Sequence, residues 1–81
     1  SNAAILATRA FVRLRLGDYD KSIGDYDAAL KINPQMARAL YGRGVAKIRK
    51  KQVAEGDADI ANAEKIAPKI AEQFEALGLR R

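Results

Sequence analysis

The chain repeats itself at a step of 34 residues, and few features of a short sequence restrict its fold as strongly. Residues 4–34 laid over residues 38–68 without a gap share eight identities: Leu6/Leu40, Arg9/Arg43, Arg15/Arg49, Asp25/Asp59, Ala29/Ala63, Lys31/Lys65, Ile32/Ile66 and Pro34/Pro68. A period of this length marks a solenoid unit, in which each copy must bury its apolar face on a neighbour. Such architectures build surfaces and seldom reaction centres.

Each copy reads as two helices with a break between them. Ile5, Leu6, Ala10, Phe11 and Leu14 follow helical rather than alternating spacing over residues 4–16. Leu16-Gly17-Asp18 then punctuates the chain. Gly17 suits a left-handed helix end, and Asp18 suits an N-cap. A second helix over about 18–32 keeps Ser22, Ile23, Tyr26, Ala29 and Leu30 on one stripe, and Asn33-Pro34 ends it. The second copy predicts helices over 37–51 and 53–67, closed by Ala67-Pro68, and a fifth helix follows near 69–78.

At 81 residues there is room for one small domain with a limited core. The absence of Cys removes disulfides and thiolate metal sites, and the absence of His removes the usual general base and the commonest metal ligand. No apolar run approaches the roughly 20 residues of a membrane-spanning helix. Ser1-Asn2-Ala3 reads as the remnant of a cleaved tag, which implies a trimmed N-terminus and leaves room for further repeats upstream.

These residues resemble the tetratricopeptide repeat family, whose pattern sets bulky, small, aromatic, Ala and Pro positions at fixed offsets over a 34-residue unit. The first copy supplies Leu6, Arg9-Ala10, Arg13, Ser22, Tyr26, Ala29 and Pro34; the second supplies Leu40, Arg43-Gly44, Lys47, Gly56, Ile60, Ala63 and Pro68. The resemblance implies an all-α fold, a right-handed α-α superhelix of five antiparallel helices. It divides the chain into a first repeat over residues 4–36, a second over 37–70, and a capping helix with its tail over 71–81. By this reading the chain is the C-terminal piece of a repeat protein. Phe74 and Leu77 are expected to cover the core, with Glu72 and Glu75 in water.

The departures from the family pattern are informative. Arg9 and Arg43 stand where Leu is commoner, and in both copies an Asp follows sixteen residues later, at Asp25 and Asp59. Each pair is predicted to bridge the two helices of its own repeat, so that a partly buried guanidinium keeps a partner. Lys51 occupies the place of Gly17, so a residue with a Cβ is expected to take the left-handed form at about 1–2 kcal/mol. Asp57 and Glu64 replace Ile23 and Leu30, as suits a helix facing only a short cap.

Charge is sorted by helix: the first helix of each repeat is purely basic, and the second helices lean acidic. In the resembled family the first helices line a concave groove. The resemblance therefore implies a groove stripe of Ala4, Ala7, Phe11 and Leu14, then Arg38, Tyr41, Val45 and Ile48, with Arg15 and Arg49 at its edge. Phe11 and Tyr41 would be its anchors. The expected function is non-catalytic binding of a protein or peptide segment carrying apolar and acidic side chains. Phe11 and Val45 stand where a clamp for a terminal carboxylate would use Asn, which argues against that subtype.

Two rival readings follow from the same residues. A net charge of +5 and a pI near 9.8 are compatible with nucleic acid or another polyanion on the basic first helices, although the acidic second helices oppose it. Exposed apolar side chains on the first helix, Ile5 among them, are compatible with a homodimer or another homo-oligomer. No nucleophile-and-base pair, phosphate-cradling loop or metal-ligand cluster is visible, so no catalytic residue, metal or cofactor is assigned.

Overall fold

The computed structural model describes residues 1–81 as five helices and no strand. They are α1 (Asn2–Arg15), α2 (Tyr19–Ile32), α3 (Ala37–Arg49), α4 (Val53–Ile66) and α5 (Ile70–Ala76), and consecutive helices pack against one another. Residues 1–3 belong to this framework: the Ser1 hydroxyl accepts a hydrogen bond from the Ala4 amide, and Ala3 is buried.

The helix ends follow from the residues that punctuate them. α1, α3 and α5 all stop in the same way, on a residue of positive φ: Gly17 at +81°, Lys51 at +72° and Gly78 at +83°. In each case that residue's amide and the next one reach back to two carbonyls of the last turn. The pairs are Gly17 to Leu14 and Asp18 to Arg13, Lys51 to Ile48 and Gln52 to Lys47, Gly78 to Glu75 and Leu79 to Phe74. This is the Schellman ending. α2 and α4 instead run out at Asn33 and Ala67, both extended at φ −134°, because Pro34 and Pro68 forbid helical geometry before them. Asp18 stands at the N-cap of α2, but its side chain makes no capping bond and lies 3.9 Å from the Lys21 amine instead.

Small residues let the paired helices approach. In the first pair, Ala10 and Ser22 meet, and the fully buried Ser22 hydroxyl donates to the Ala10 carbonyl at 2.8 Å. In the second pair the same positions are Gly44 and Gly56, and a Cβ on Gly44 would lie only 2.7 Å from the Gly56 carbonyl oxygen. Between the pairs, the hydroxyl end of the Tyr26 ring of α2 lies against Gly42 of α3, leaving no room for a methyl group there.

The short α5 closes the core. Phe74 packs on Tyr41 at 4.6 Å between ring centres and meets Phe11 edge-on at 5.7 Å. Leu77, expected over the core, is 54% exposed, whereas Leu79 is buried. The reversal at Gly78 is the reason. A Schellman ending turns the residue after the glycine back toward the last helical turn, so Leu79 rather than Leu77 joins Phe74 inside. Asp57 and Glu64 are exposed, as are Glu72 and Glu75.

Two substitutions test this account. Lys51→Gly relieves a left-handed cost of about 1–2 kcal/mol, less about 0.4–1 kcal/mol for the freer unfolded chain, and is expected to raise stability by roughly 0.5–1 kcal/mol. Gly42→Ala drives a methyl into the Tyr26 ring and is expected to cost about 1–3 kcal/mol. Urea unfolding of both variants measures the two shifts.

Candidate protein-binding groove

The basic first helices spend much of their charge inside the molecule. Arg9 grips Asp25 with two parallel hydrogen bonds, Nε at 2.9 Å and Nη2 at 2.8 Å, and Arg13 Nη1 adds a third at 2.9 Å. The second repeat copies this: Arg43 holds Asp59 through Nε at 2.8 Å and Nη2 at 2.9 Å, and Lys47 Nζ lies at 3.1 Å. Each aspartate is 6% exposed and answers to two cations. The spacing of sixteen residues pointed to Arg9 and Arg43. The second cation of each set, Arg13 or Lys47, stands one helical turn further along the same face, and that spacing was the overlooked signal.

Electrostatics follow the geometry. The Arg9 hydrogen bond holds the Asp25 carboxyl below its ordinary range against the cost of burial. Burial pushes Asp59 the other way, yet the hydrogen bonds from Arg43 and Lys47 together outweigh it and leave that carboxyl lowered too. Burial raises the Tyr26 phenol strongly, and the nearby Arg38 charge only partly offsets it.

Beyond these sets, the charges of α3 and its C-cap divide between carboxylate-paired and unpaired. Arg43 Nη1 also donates to Asp27 of α2 at 2.9 Å, Lys50 pairs with Asp20, and Arg49 donates to the Arg80 carbonyl at 2.9 Å. Arg81 meets Asp57 at 2.7 Å, so the tail is tied to both α3 and α4. Arg38 and Arg15 have no carboxylate partner; Arg15 lies 5.8 Å from the Phe11 ring centre.

The side chains read as a groove stripe divide into two groups. Ala7, Leu14, Tyr41 and Val45 are buried, at 3%, 0%, 2% and 0% exposure, because α5 and the packing of α1 on α3 cover them. Tyr41 is thus a support beneath Phe74 and not an exposed anchor. Ala4, Phe11 and Ile48 are half-buried, and Arg15, Arg38 and Arg49 are exposed.

What remains open is a cavity of about 300 Å³ between α1, α3 and α5. Ala7, Thr8 and Phe11 supply one wall, Gln73, Phe74 and Leu77 the other, with Tyr26 and Arg38 between them. Neither Gln73 nor Tyr26 was expected there. Tyr26 reaches it only because Gly42 lets the ring lie against α3. No helix is long and apolar enough to cross a membrane.

Two helix pairs stacked on one another, with a shorter helix closing the last, define a helical-repeat protein. A family model described as TPR repeat matches residues 12–50, from the end of α1 through α3, and the five-helix chain is consistent with TPR repeats. Members of that family are in general protein–protein interaction modules and typically non-catalytic. No curated protein and no solved structure matches the chain.

The buried carboxylates set an acid limit. Because Asp25 and Asp59 are harder to protonate folded than unfolded, their contribution is complete above the ordinary carboxylate value of 3.8 and drains away as pH falls below it. Asp59→Ala is expected to cost about 2–3 kcal/mol at neutral pH and to flatten that acid slope. The exposed partner Asp27→Ala is expected to cost about 1 kcal/mol or less. Tyr41→Ala should lose about 3–5 kcal/mol, as a core truncation does. Urea titrations at neutral pH and near pH 3 check all three.

Proposed function

We propose that the chain is a non-catalytic binding module for a peptide segment of another protein, taken on the face formed by α1, α3 and α5. A large apolar side chain enters the cavity between Phe11, Phe74 and Leu77. A carboxylate close to it in the partner meets Arg38 at the rim. The observation that carries this reading is an apolar cavity of about 300 Å³ beside a guanidinium with no partner of its own. That volume stands at the small end of ligand sites and suits one side chain rather than a whole cofactor.

Within this reading the groove residues have different tasks. Phe11 touches the ligand, and Arg38 fixes its direction. Ala7, Leu14, Tyr41 and Val45 hold the walls in place from beneath. Arg15, Ile48 and Arg49 belong to the far end of the face, where the Arg49 bond to the Arg80 carbonyl tethers the tail. Phosphate binding is less well supported, since Arg43, Lys47 and Lys50 of α3 are already bound to carboxylates.

Selection of a displayed random-peptide library on the immobilised chain tests the proposal. Enriched peptides are expected to place Phe, Leu, Met or Trp near an Asp or Glu. Their affinity should fall at least about tenfold, or 1.4 kcal/mol, for Arg38→Glu and for Leu77→Glu. Both side chains are exposed, so neither change should alter melting. Selected peptides that bind these two variants as well as they bind the parent would sink the reading.

A further inference from the structure

Tyr26 and Ile60 stand one repeat apart and fill the same place in their helix pairs with different chemistry. Both are buried, at 1% exposure, and each lies against a glycine of α3: Tyr26 on Gly42, Ile60 on Gly44. The isoleucine shows that packing at this place needs no polar atom. Tyr26 brings one, and its hydroxyl makes no hydrogen bond within the chain. Every fully enclosed side-chain nitrogen and oxygen of the molecule has a partner, so this hydroxyl is not enclosed; it opens on the cavity between α1, α3 and α5 that Tyr26 helps to line. Gly42 keeps it open. A Cβ at position 42 would stand 2.2 Å from the hydroxyl oxygen and cover it.

The neighbours decide what the hydroxyl can do. Arg38 stands one helical turn before Gly42 on the same face of α3 and lines the same cavity. Its charge acts on the phenol, opposing the rise that burial causes. A cation beside a neutral phenol draws the oxygen lone pairs toward itself and leaves the O–H to point away. The guanidinium has donors only. Thr8, the other hydroxyl of the cavity, donates to the Ala4 carbonyl at 2.9 Å and so has spent its proton, and Gln73 stands exposed on the opposite wall. The corner held by Tyr26 and Arg38 thus offers two donors to one acceptor.

We propose, resting on the peptide-binding reading above, that Tyr26 is a specificity-determining residue: its hydroxyl and the Arg38 guanidinium together take one side-chain carboxylate, of Asp or Glu, from the bound peptide. The apolar side chain beside that acid lies on Phe11, Phe74 and Leu77. The acid is read inside the cavity and not only at its rim. A neutral segment of the same apolar content leaves both donors without an acceptor and is rejected for that reason.

Tyr26→Phe removes the oxygen and keeps the ring. The probes are peptides enriched in the displayed-library selection, synthesised with an amidated C-terminus and labelled for fluorescence anisotropy, each beside a version in which the Asp or Glu is Ala. Tyr26→Phe is expected to weaken the acidic peptides at least about tenfold and to leave the affinity of the alanine versions unchanged. The variant should melt no lower than the parent, because the lost hydroxyl bonds to nothing in the chain. Acidic peptides that lose affinity with Arg38→Glu, yet bind Tyr26→Phe as tightly as the parent, overturn this role for Tyr26 and leave the peptide reading standing. An equal loss for acidic and alanine peptides overturns it as well, since ring packing would then be the cause, and so does a marked fall in melting. Selected peptides indifferent to Arg38→Glu, or a selection that enriches none, overturn both.

Discussion

Everything in this fold is arranged around two nearly buried carboxylates, Asp25 and Asp59, each held between cations from the neighbouring helix. A carboxylate at 6% exposure without a partner would be expensive. One gripped by both arms of an arginine is tolerated, and only in one register of the two helices. The pairs therefore act as pins: a helix hairpin that slipped by a turn would leave a charge unpaired inside. The close contacts of Ala10 with Ser22 and of Gly44 with Gly56 require that same register. Ionic pinning and small-residue packing thus select one arrangement in each repeat.

The pinning changes what the net charge of +5 means. Arg9, Arg13, Arg43, Lys47 and Lys50 all stand on first helices, and all are bound to carboxylates of second helices. Helices that look strongly basic as sequence are largely neutralised once folded. Of the cations left on the inner face, Arg49 is held by the Arg80 carbonyl, while Arg15 and Arg38 stand singly beside aromatic surface. An arrangement of that kind suits one carboxylate next to an apolar group better than it suits a row of phosphates.

The helices and their ends were legible because Gly17, Pro34 and Pro68 impose backbone geometry whatever surrounds them, and the period of 34 residues carried the reading to Lys51. The Arg9–Asp25 and Arg43–Asp59 spacings pointed to contacts present in the fold for a similar reason: helix geometry over one short turn leaves little freedom. The exposure of the inner stripe was not legible. Tyr41 and Val45 have the same helical phase whether they face a ligand or face α5. The outcome depends on where α5 crosses, which no local pattern specifies. Leu77 and Leu79 exchanged roles because a reversal at Gly78 overrides helical phase just where the helix stops. Arg80 and Arg81 belong to no repeat, so nothing in the period announces that they reach Arg49 and Asp57.

The two ends of the molecule resolve the same physical problem in opposite ways. Every stacked helix pair offers a face to the next, and a face left bare must become polar, be covered, or find a partner. At the α4 end, Asp57 and Glu64 replace large apolar residues, while α5 and Arg81 cover much of what remains. At the α1 end none of this has happened. The positions that are Ala39, Gly42 and Ala46 inside the stack have instead become larger, as Ile5, Thr8 and Val12, and they stand in water beside a guanidinium nitrogen with no partner in the chain. Large apolar side chains and a spare guanidinium donor are what a face packed on another helix keeps, and what the outer face of α4 has given up for Asp57 and Glu64.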